Sequence, residues 1–237
     1  MKKFLSFAVC ALLTVFVTLS LSACGDDDSE VVKIPDSGMD NGHAYVDLGL
    51  PSGLKWATCN VGADKPEDYG NYFAWGEISV KSIYEWNTYK WGTDTTQFTK
   101  YCSKSIFGKN GFTDDKTTLD SEDDAAHANW GGQWRMPTIA NFNELINNTT
   151  VKWVENYNDT GVSGFRFTAS NGNYIFLPAA GYRRNTLYNA GSAGYYWSSL
   201  LDTDYPYLAY IMVFNSGKVG VNSGYRIAGF SIRPVRP

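Results

Sequence analysis

Histidine is almost absent from this chain: His43 and His127 are the only two in 237 residues. A His-based zinc centre or a Ser–His triad would have to use one of them, and no H-E-x-x-H, G-x-S-x-G or phosphate-loop string occurs. His127, between Ala126 and Ala128 on an expected helix, reads as a partly buried or surface side chain, and His43, beside a polar stretch, as a solvated one. Clusters of basic residues are also missing, so nothing is in place to neutralise a phosphate backbone, and nucleic acid is not an expected partner. No long apolar run follows the one at the N-terminus, which leaves no further membrane span to expect. Cysteine is scarce, with four in all, and no strong internal repeat is present.

What is there begins with Lys2 and Lys3, an apolar stretch from Phe4 to Leu21, and the small residues Ser22 and Ala23 before Cys24. This is the layout of a secretory signal. With cysteine just after the cleavage point, it resembles a bacterial lipoprotein signal, whose Cys24 thiol is diacylated. The run Gly25-Asp-Asp-Asp-Ser-Glu30 resembles the export signal with which gut Bacteroidetes place lipoproteins on the outer face of the outer membrane. As bare chemistry it is a solvated, self-repelling tether. The resemblance implies a lipid-anchored, cell-surface protein of the outer membrane whose first partner is the bilayer, through acylated Cys24. Residues 1–23 are then signal, 24–42 an acidic and polar tether, and 43–237 one domain, long enough for a sizeable core. Of the 20 basic residues only Lys2 and Lys3 leave with the signal, so 18 face 24 acidic ones, a net of −6.

Cys10 departs with the signal and Cys24 takes lipid, which leaves Cys59 and Cys102. Outside the cytoplasm such a pair is a disulfide candidate; two buried, unpaired thiols are the alternative, and spacing decides neither.

All eight Trp and sixteen Tyr lie in the domain, a density that points to strands and loops rather than a helical bundle. Residues 44–50 and 54–58 read as strands around Pro51-Ser-Gly53, and Tyr72–Trp75 as a further short strand. Residues 81–111 have no period and read as a long excursion. Ser121-Glu-Asp-Asp124 matches a capping box for a helix reaching Asn129, and Thr138 caps a second helix with Ile139, Phe142, Leu145 and Ile146 on one face. Strands then follow at 165–167, 174–176, 195–197, 208–214, 218–221 and 229–235, with Asn171-Gly172 as a hairpin signal. Two helices and many short strands suggest an α+β fold.

Several strings are too particular for general β-protein logic: Tyr45-Val-Asp-Leu-Gly-Leu-Pro-Ser-Gly-Leu-Lys-Trp-Ala-Thr-Cys-Asn-Val-Gly62, Trp134-Arg-Met-Pro-Thr138, Phe176-Leu-Pro-Ala-Ala-Gly-Tyr-Arg183, Tyr196-Trp-Ser-Ser199 and Gly229-Phe-Ser-Ile-Arg-Pro-Val235. Together they resemble the Fibrobacter succinogenes major paralogous domain, common in Bacteroidetes lipoproteins, over nearly all of residues 44–236. The resemblance implies a C-type-lectin-like fold, two helices packed on short twisted antiparallel sheets with long loops. That architecture is related to the formylglycine-generating enzymes, with Asp124-Ala-Ala126 and Arg135-Met-Pro-Thr138 as the corresponding segments. Those enzymes use late cysteines, and none follows Cys102. The calcium–sugar strings Glu-Pro-Asn, Gln-Pro-Asp and Trp-Asn-Asp are missing as well.

No catalytic residue, cofactor or metal site is therefore expected. Asp114, Asp115, Asp120, Glu122, Asp123 and Asp124 form the best group of hard oxygen ligands, but without EF-hand spacing, and helix capping accounts for several of them. Glu77 and Glu144 would suit acid–base work only if brought together. Arg135, Arg226 and Arg233 read as structural, and Trp56, Trp75, Trp134 and Trp197 as core. Trp86 and Trp91, in the excursion, are freer to be exposed as contacts. Between Arg183 and Arg226 lie Tyr188, Asn189, Tyr205, Tyr207, Asn222 and Tyr225 among Ser and Gly, a composition that recognition loops favour. Hairpin loops share that composition for structural reasons. Some C-type-lectin-like proteins diversify such a segment with a retroelement. The reading is a non-catalytic surface domain that binds an extracellular glycan or protein at Tyr188, Asn189, Tyr205, Tyr207, Asn222 and Tyr225, joined by Trp86 and Trp91. A structural accessory subunit of a surface assembly, or a retroelement-diversified receptor, is the alternative.

Overall fold

A computed structural model describes residues 37–237. The signal, Cys24 and the tether up to residue 36 lie outside the described residues. The described chain is an α+β arrangement of small antiparallel sheets with two short α-helices. Among the described residues no helix is long and apolar enough to cross a membrane.

The first sheet has the order β1 (Ser37–Asp40), β2 (His43–Asp47), β3 (Lys55–Ala57), β12 (Val235–Arg236). Its first strand corrects the tether boundary at residue 42. Asn41 and Gly42 have φ of 46° and 82°, both in the left-handed region that a two-residue I′ turn demands, and Asp40 faces His43 across it. The Trp134 indole donates to the Asp40 carbonyl at 3.1 Å and the Asn41 amide donates to the Trp130 carbonyl, so this hairpin is stapled to the core. His43, read as solvated, is half-buried instead, with its ring stacked on Trp130 at 3.9 Å.

Two further sheets carry most of the ladder. One is β4 (Thr149–Val154), β5 (Gly164–Ala169) and β6 (Tyr174–Pro178); the other is β9 (Ala193–Leu201), β10 (Leu208–Asn215) and β11 (Lys218–Tyr225), with β10 central. A two-residue pair, β7 (Tyr182–Arg183) and β8 (Leu187–Tyr188), completes the set. β10 divides two cores because strand side chains alternate. Ala209, Ile211 and Val213 face the core holding Trp75, Trp134 and Trp197. Met212 and Phe214 face the one holding Trp56, Phe142, Phe165 and Phe167. The four tryptophans read as core are each fully buried.

The helices are α1 (Ala125–Trp130) and α2 (Ile139–Asn147). α2 starts as the sequence predicts: the Thr138 hydroxyl accepts from the Asn141 N–H at 3.3 Å while Asn141 Oδ1 accepts from the Thr138 N–H at 3.0 Å. Phe142 and Leu145 are its buried face. α1 differs. Ser121–Asp123 is a single 3-10 turn without a side-chain cap, and Asp124 is the cap. Its Oδ1 accepts from the N–H groups of Ala126 and His127, and its Oδ2 from that of Met136, so one buried carboxylate satisfies three orphan donors that the Ser121 hydroxyl could not.

Two expected strands are also absent as ladders. Tyr72–Trp75 makes a single bridge, Phe73 to Phe230. The segment from Gly229 to Val235 instead bonds in turn to Arg183, Phe73, Tyr196 and Arg135, knitting several elements rather than extending one sheet. Cys59 and Cys102 are both free, which corrects the disulfide candidate. Cys102 is buried and its thiol donates to the Lys104 carbonyl at 3.2 Å, whereas Cys59 is half-buried with its sulfur 3.5 Å from the Thr58 hydroxyl.

Candidate functional site

The β9–β10–β11 face that carries Ile211 and Val213 is covered in part by the first core, and beside that core it opens as a cleft of about 420 Å³. Its floor follows from register. Ile211 pairs with Asn222, Val213 with Gly220 and Ala209 with Gly224, so beyond Lys218 β11 presents only glycine, asparagine and glycine on this face. Val219 and Val221 point the other way, into the second core. A Cβ at Gly220 would meet nothing within 4 Å, and one at Gly224 would stand 2.6 Å from the Phe230 ring. The two glycines thus leave a trough beside Ile211 and Val213, and Gly224 lets Phe230 approach the sheet.

Aromatic rings form the walls. Tyr195 stacks on Phe230 at 5.4 Å, and Tyr182 meets Tyr195 edge-on at 5.2 Å. Tyr188, 43% exposed, stacks on Tyr182 at 5.2 Å. On the other side Tyr225, half exposed, stacks on Tyr207 at 6.0 Å, and Tyr207 lies 5.8 Å from Tyr205. Polar groups sit between. Asn222 Oδ1 accepts from the Ser223 N–H at 2.8 Å, leaving its Nδ2 hydrogens without a partner among the described residues. Asn189 occupies the left-handed region at φ 57° and its amide donates to the Tyr195 hydroxyl at 3.1 Å.

Of the candidate contacts, Asn189, Asn222 and Tyr225 line this cleft; Tyr188 joins it through Tyr182 and Tyr207 through Tyr225, with Tyr205 at the end of that row. Trp86 and Trp91 do not join it. Both are half-buried: Trp86 packs edge-on against Tyr89 and Phe98, and the Trp91 indole donates to the Gly76 carbonyl at 2.8 Å under the Lys90 ammonium. The excursion buries its own satellite core of Tyr72, Tyr84, Tyr89 and Phe98, and that core uses these two rings. Reading loops alone misses Tyr182, Arg184, Ile211, Val213 and Phe230. Alternation along β10 would have marked Ile211 and Val213 as one face.

The acidic segment is occupied from within. Asp120, Glu122 and Asp123 offer the only cluster of possible metal ligands among the described residues. The Lys100 ammonium stands among them, 2.7 Å from Asp120, 3.3 Å from Glu122 and 2.7 Å from Asp123. Lys100 and Lys116 hold the Asp120 carboxyl down, to about 2. Burial pushes Asp123 up, but Lys100, Tyr101 and Lys90 more than reverse that, and its net shift is downward. Asp114 is spent on the N–H groups of Tyr101 and Cys102.

A second cleft, of about 440 Å³, lies between α1 and the Gly132–Thr138 segment and includes Asp124, His127 and Arg135. Burial raises the Asp124 carboxyl despite its three N–H donors. Its oxygens are taken by the backbone, His127 Nδ1 lies 3.3 Å from the Trp134 carbonyl, and Arg135 donates to the Met136 carbonyl and to Asn141. These groups hold chain segments together. Glu77 binds Lys81 and the Lys90 N–H, and Glu144 binds the backbone and hydroxyl of Ser52, so each is committed to its own partners.

No family model, curated protein or solved structure matches the chain.

Proposed function

We propose that the protein is a lipid-anchored surface receptor whose domain binds a saccharide in the cleft on β9–β10–β11, without catalysis. One observation carries this reading. A shallow trough floored by Ile211, Val213 and Asn222 is flanked by tyrosine rings on both sides, with an unpartnered amide between them. Tyrosine offers a flat apolar face and a polar edge, which suits a sugar ring's own apolar face and hydroxyl rim, and it loses little entropy on binding. The trough is open and shallow, a shape for recognition rather than for enclosing a reaction.

In the same proposal the fold is C-type-lectin-like and the chain belongs with the Fibrobacter succinogenes major paralogous domain. The positions of its characteristic strings support this. Trp134–Thr138 links the two helices, Tyr196–Ser199 forms the middle of β9, and Gly229–Val235 is the knitting segment. The Cys24 anchor and the surface location rest on the sequence motif, and acyl chains on Cys24 in the native product would establish the anchor.

The test is a glycan array probed with the protein beginning at Gly25. Binding that falls in Tyr225→Ala and Asn222→Ala, with both variants folded, supports the assignment. Wild-type binding in both removes the cleft from it. Failure on every saccharide, together with a stable complex in pull-downs from the outer membrane, would make the protein an accessory subunit instead.

A further inference from the structure

Building on a saccharide in this cleft, we propose that the bound sugar carries an anionic group, a carboxylate or a sulfate, which Arg184 reads. Arg184 is the one ionic side chain lining the cleft, and no carboxylate lines it. That contrasts with the chain as a whole, whose acidic residues outnumber its basic ones by 24 to 20. A lone cation in the aromatic trough of an acidic protein is a local choice of sign.

The guanidinium is held in place. Arg184 Nε donates to the Tyr84 carbonyl at 2.9 Å, the Arg184 carbonyl accepts from the Tyr84 N–H at 3.2 Å, and the Arg184 N–H donates to the Thr186 carbonyl at 3.1 Å. Backbone and head group are thus both pinned to the excursion. Yet Arg184 has no ion pair among the described residues, and both Nη groups lack a hydrogen-bond partner there. The neighbouring Arg183 is used differently: its guanidinium lies over the Tyr72 ring at 5.3 Å. Both Nη groups of the fully buried Arg226, by contrast, donate to backbone carbonyls.

A planar fork fixed through Nε, with its two outer nitrogens free, matches the two oxygens of a carboxylate or sulfate. Sugar hydroxyls would satisfy it more weakly. The half-buried setting favours the charged ligand further, because partial exclusion of water strengthens the pair. The arrangement divides the work: rings take the apolar face of the sugar, Asn222 takes hydroxyls, and Arg184 selects charge.

The experiment measures binding of the protein beginning at Gly25 to matched polymers. One pair is polygalacturonate and its methyl ester, which differ in charge on the same backbone. The other is dextran sulfate and dextran, whose shared backbone is neutral, so that this pair differs in sulfate alone. The expected result is that one charged member binds, with at least about tenfold loss on its uncharged partner and a similar loss in Arg184→Gln. Which pair responds tells carboxylate from sulfate. Because the ligand is changed and the protein is not, the polymer comparison stands even if Arg184→Gln folds poorly. Equal binding of charged and uncharged members overturns the charge assignment and leaves the saccharide reading intact. Absence of binding to these and to every neutral saccharide on the array overturns both.

Discussion

Arg226 is the residue whose loss the architecture should feel most, and the reason can be counted. It is fully buried and has no carboxylate partner among the described residues. Nε donates to the Tyr89 hydroxyl at 2.8 Å, Nη1 to the carbonyls of Tyr101 and Pro206 at 2.9 and 2.8 Å, and Nη2 to the carbonyl of Lys100 at 3.2 Å. The rings of Phe98 and Trp75 lie 4.5 and 4.9 Å from the guanidinium carbon. A single cation thus ties three distant stretches of loop to the end of β11. Arg226→Met keeps most of the volume but strands three carbonyls, each costing roughly 1–3 kcal/mol when buried. Relief from burying a charge offsets part of that, and a net loss of about 3 kcal/mol remains. For a domain of this size that lowers Tm by roughly 6–12 °C. With a urea slope of about 2 kcal/mol/M the midpoint falls by about 1.5 M. Urea denaturation followed by tryptophan fluorescence measures both slope and midpoint. A midpoint within about 0.3 M of wild type at unchanged slope would refute the idea that this guanidinium anchors the loops.

Four other outcomes are expected. Gly220→Ala adds a methyl group in open space and should be neutral or slightly stabilising, by about 0.5 kcal/mol. Gly224→Ala pushes on Phe230 and should cost about 1–3 kcal/mol and weaken saccharide binding, which paired melts and titrations will show. Asp120 has its carboxyl held at about 2 against 3.8 ordinarily, so its contribution is complete above pH 4 and disappears as pH falls through 2. Asp120→Asn should therefore be less stable than wild type at pH 7, with the gap closing by pH 2; a gap independent of pH would count against the Lys100 assignment. Finally, thiol titration of the protein beginning at Gly25 should find Cys59 reacting under native conditions and Cys102 only after unfolding.

Local signals in the sequence led to the right local structures where one residue could settle the matter. Thr138 followed by the Phe142 and Leu145 face is a helix start that needs no tertiary help. The strand reading found nearly all of β10, but only the middle of β9 and the first half of β11. Competition between neighbours was harder to read. Ser121 and Asp124 are both good caps, and the choice fell to Asp124 because its second oxygen finds the Met136 N–H, a partner twelve residues away. The Asn41-Gly42 hairpin was legible from its dipeptide, yet polar surroundings disguised it as tether. Trp86 and Trp91 looked exposed since their loop lacks period; that loop nonetheless encloses a core of its own. The recognition face was visible only as loop composition, since its floor is made by β-register, and its cation, Arg184, lies in a stretch read for its Tyr, Asn, Ser and Gly rather than for charge.

β1 and β12 are the two edges of the first sheet, and Arg236 Nη1 lies 3.4 Å from Asp40 Oδ2. One ion pair thus joins the outermost strand on one side of the sheet to the outermost strand on the other, a side-chain clasp added to the ladders between them. Charge reversal at either residue alone should set both edges loose together, and reversal at both should fasten them again.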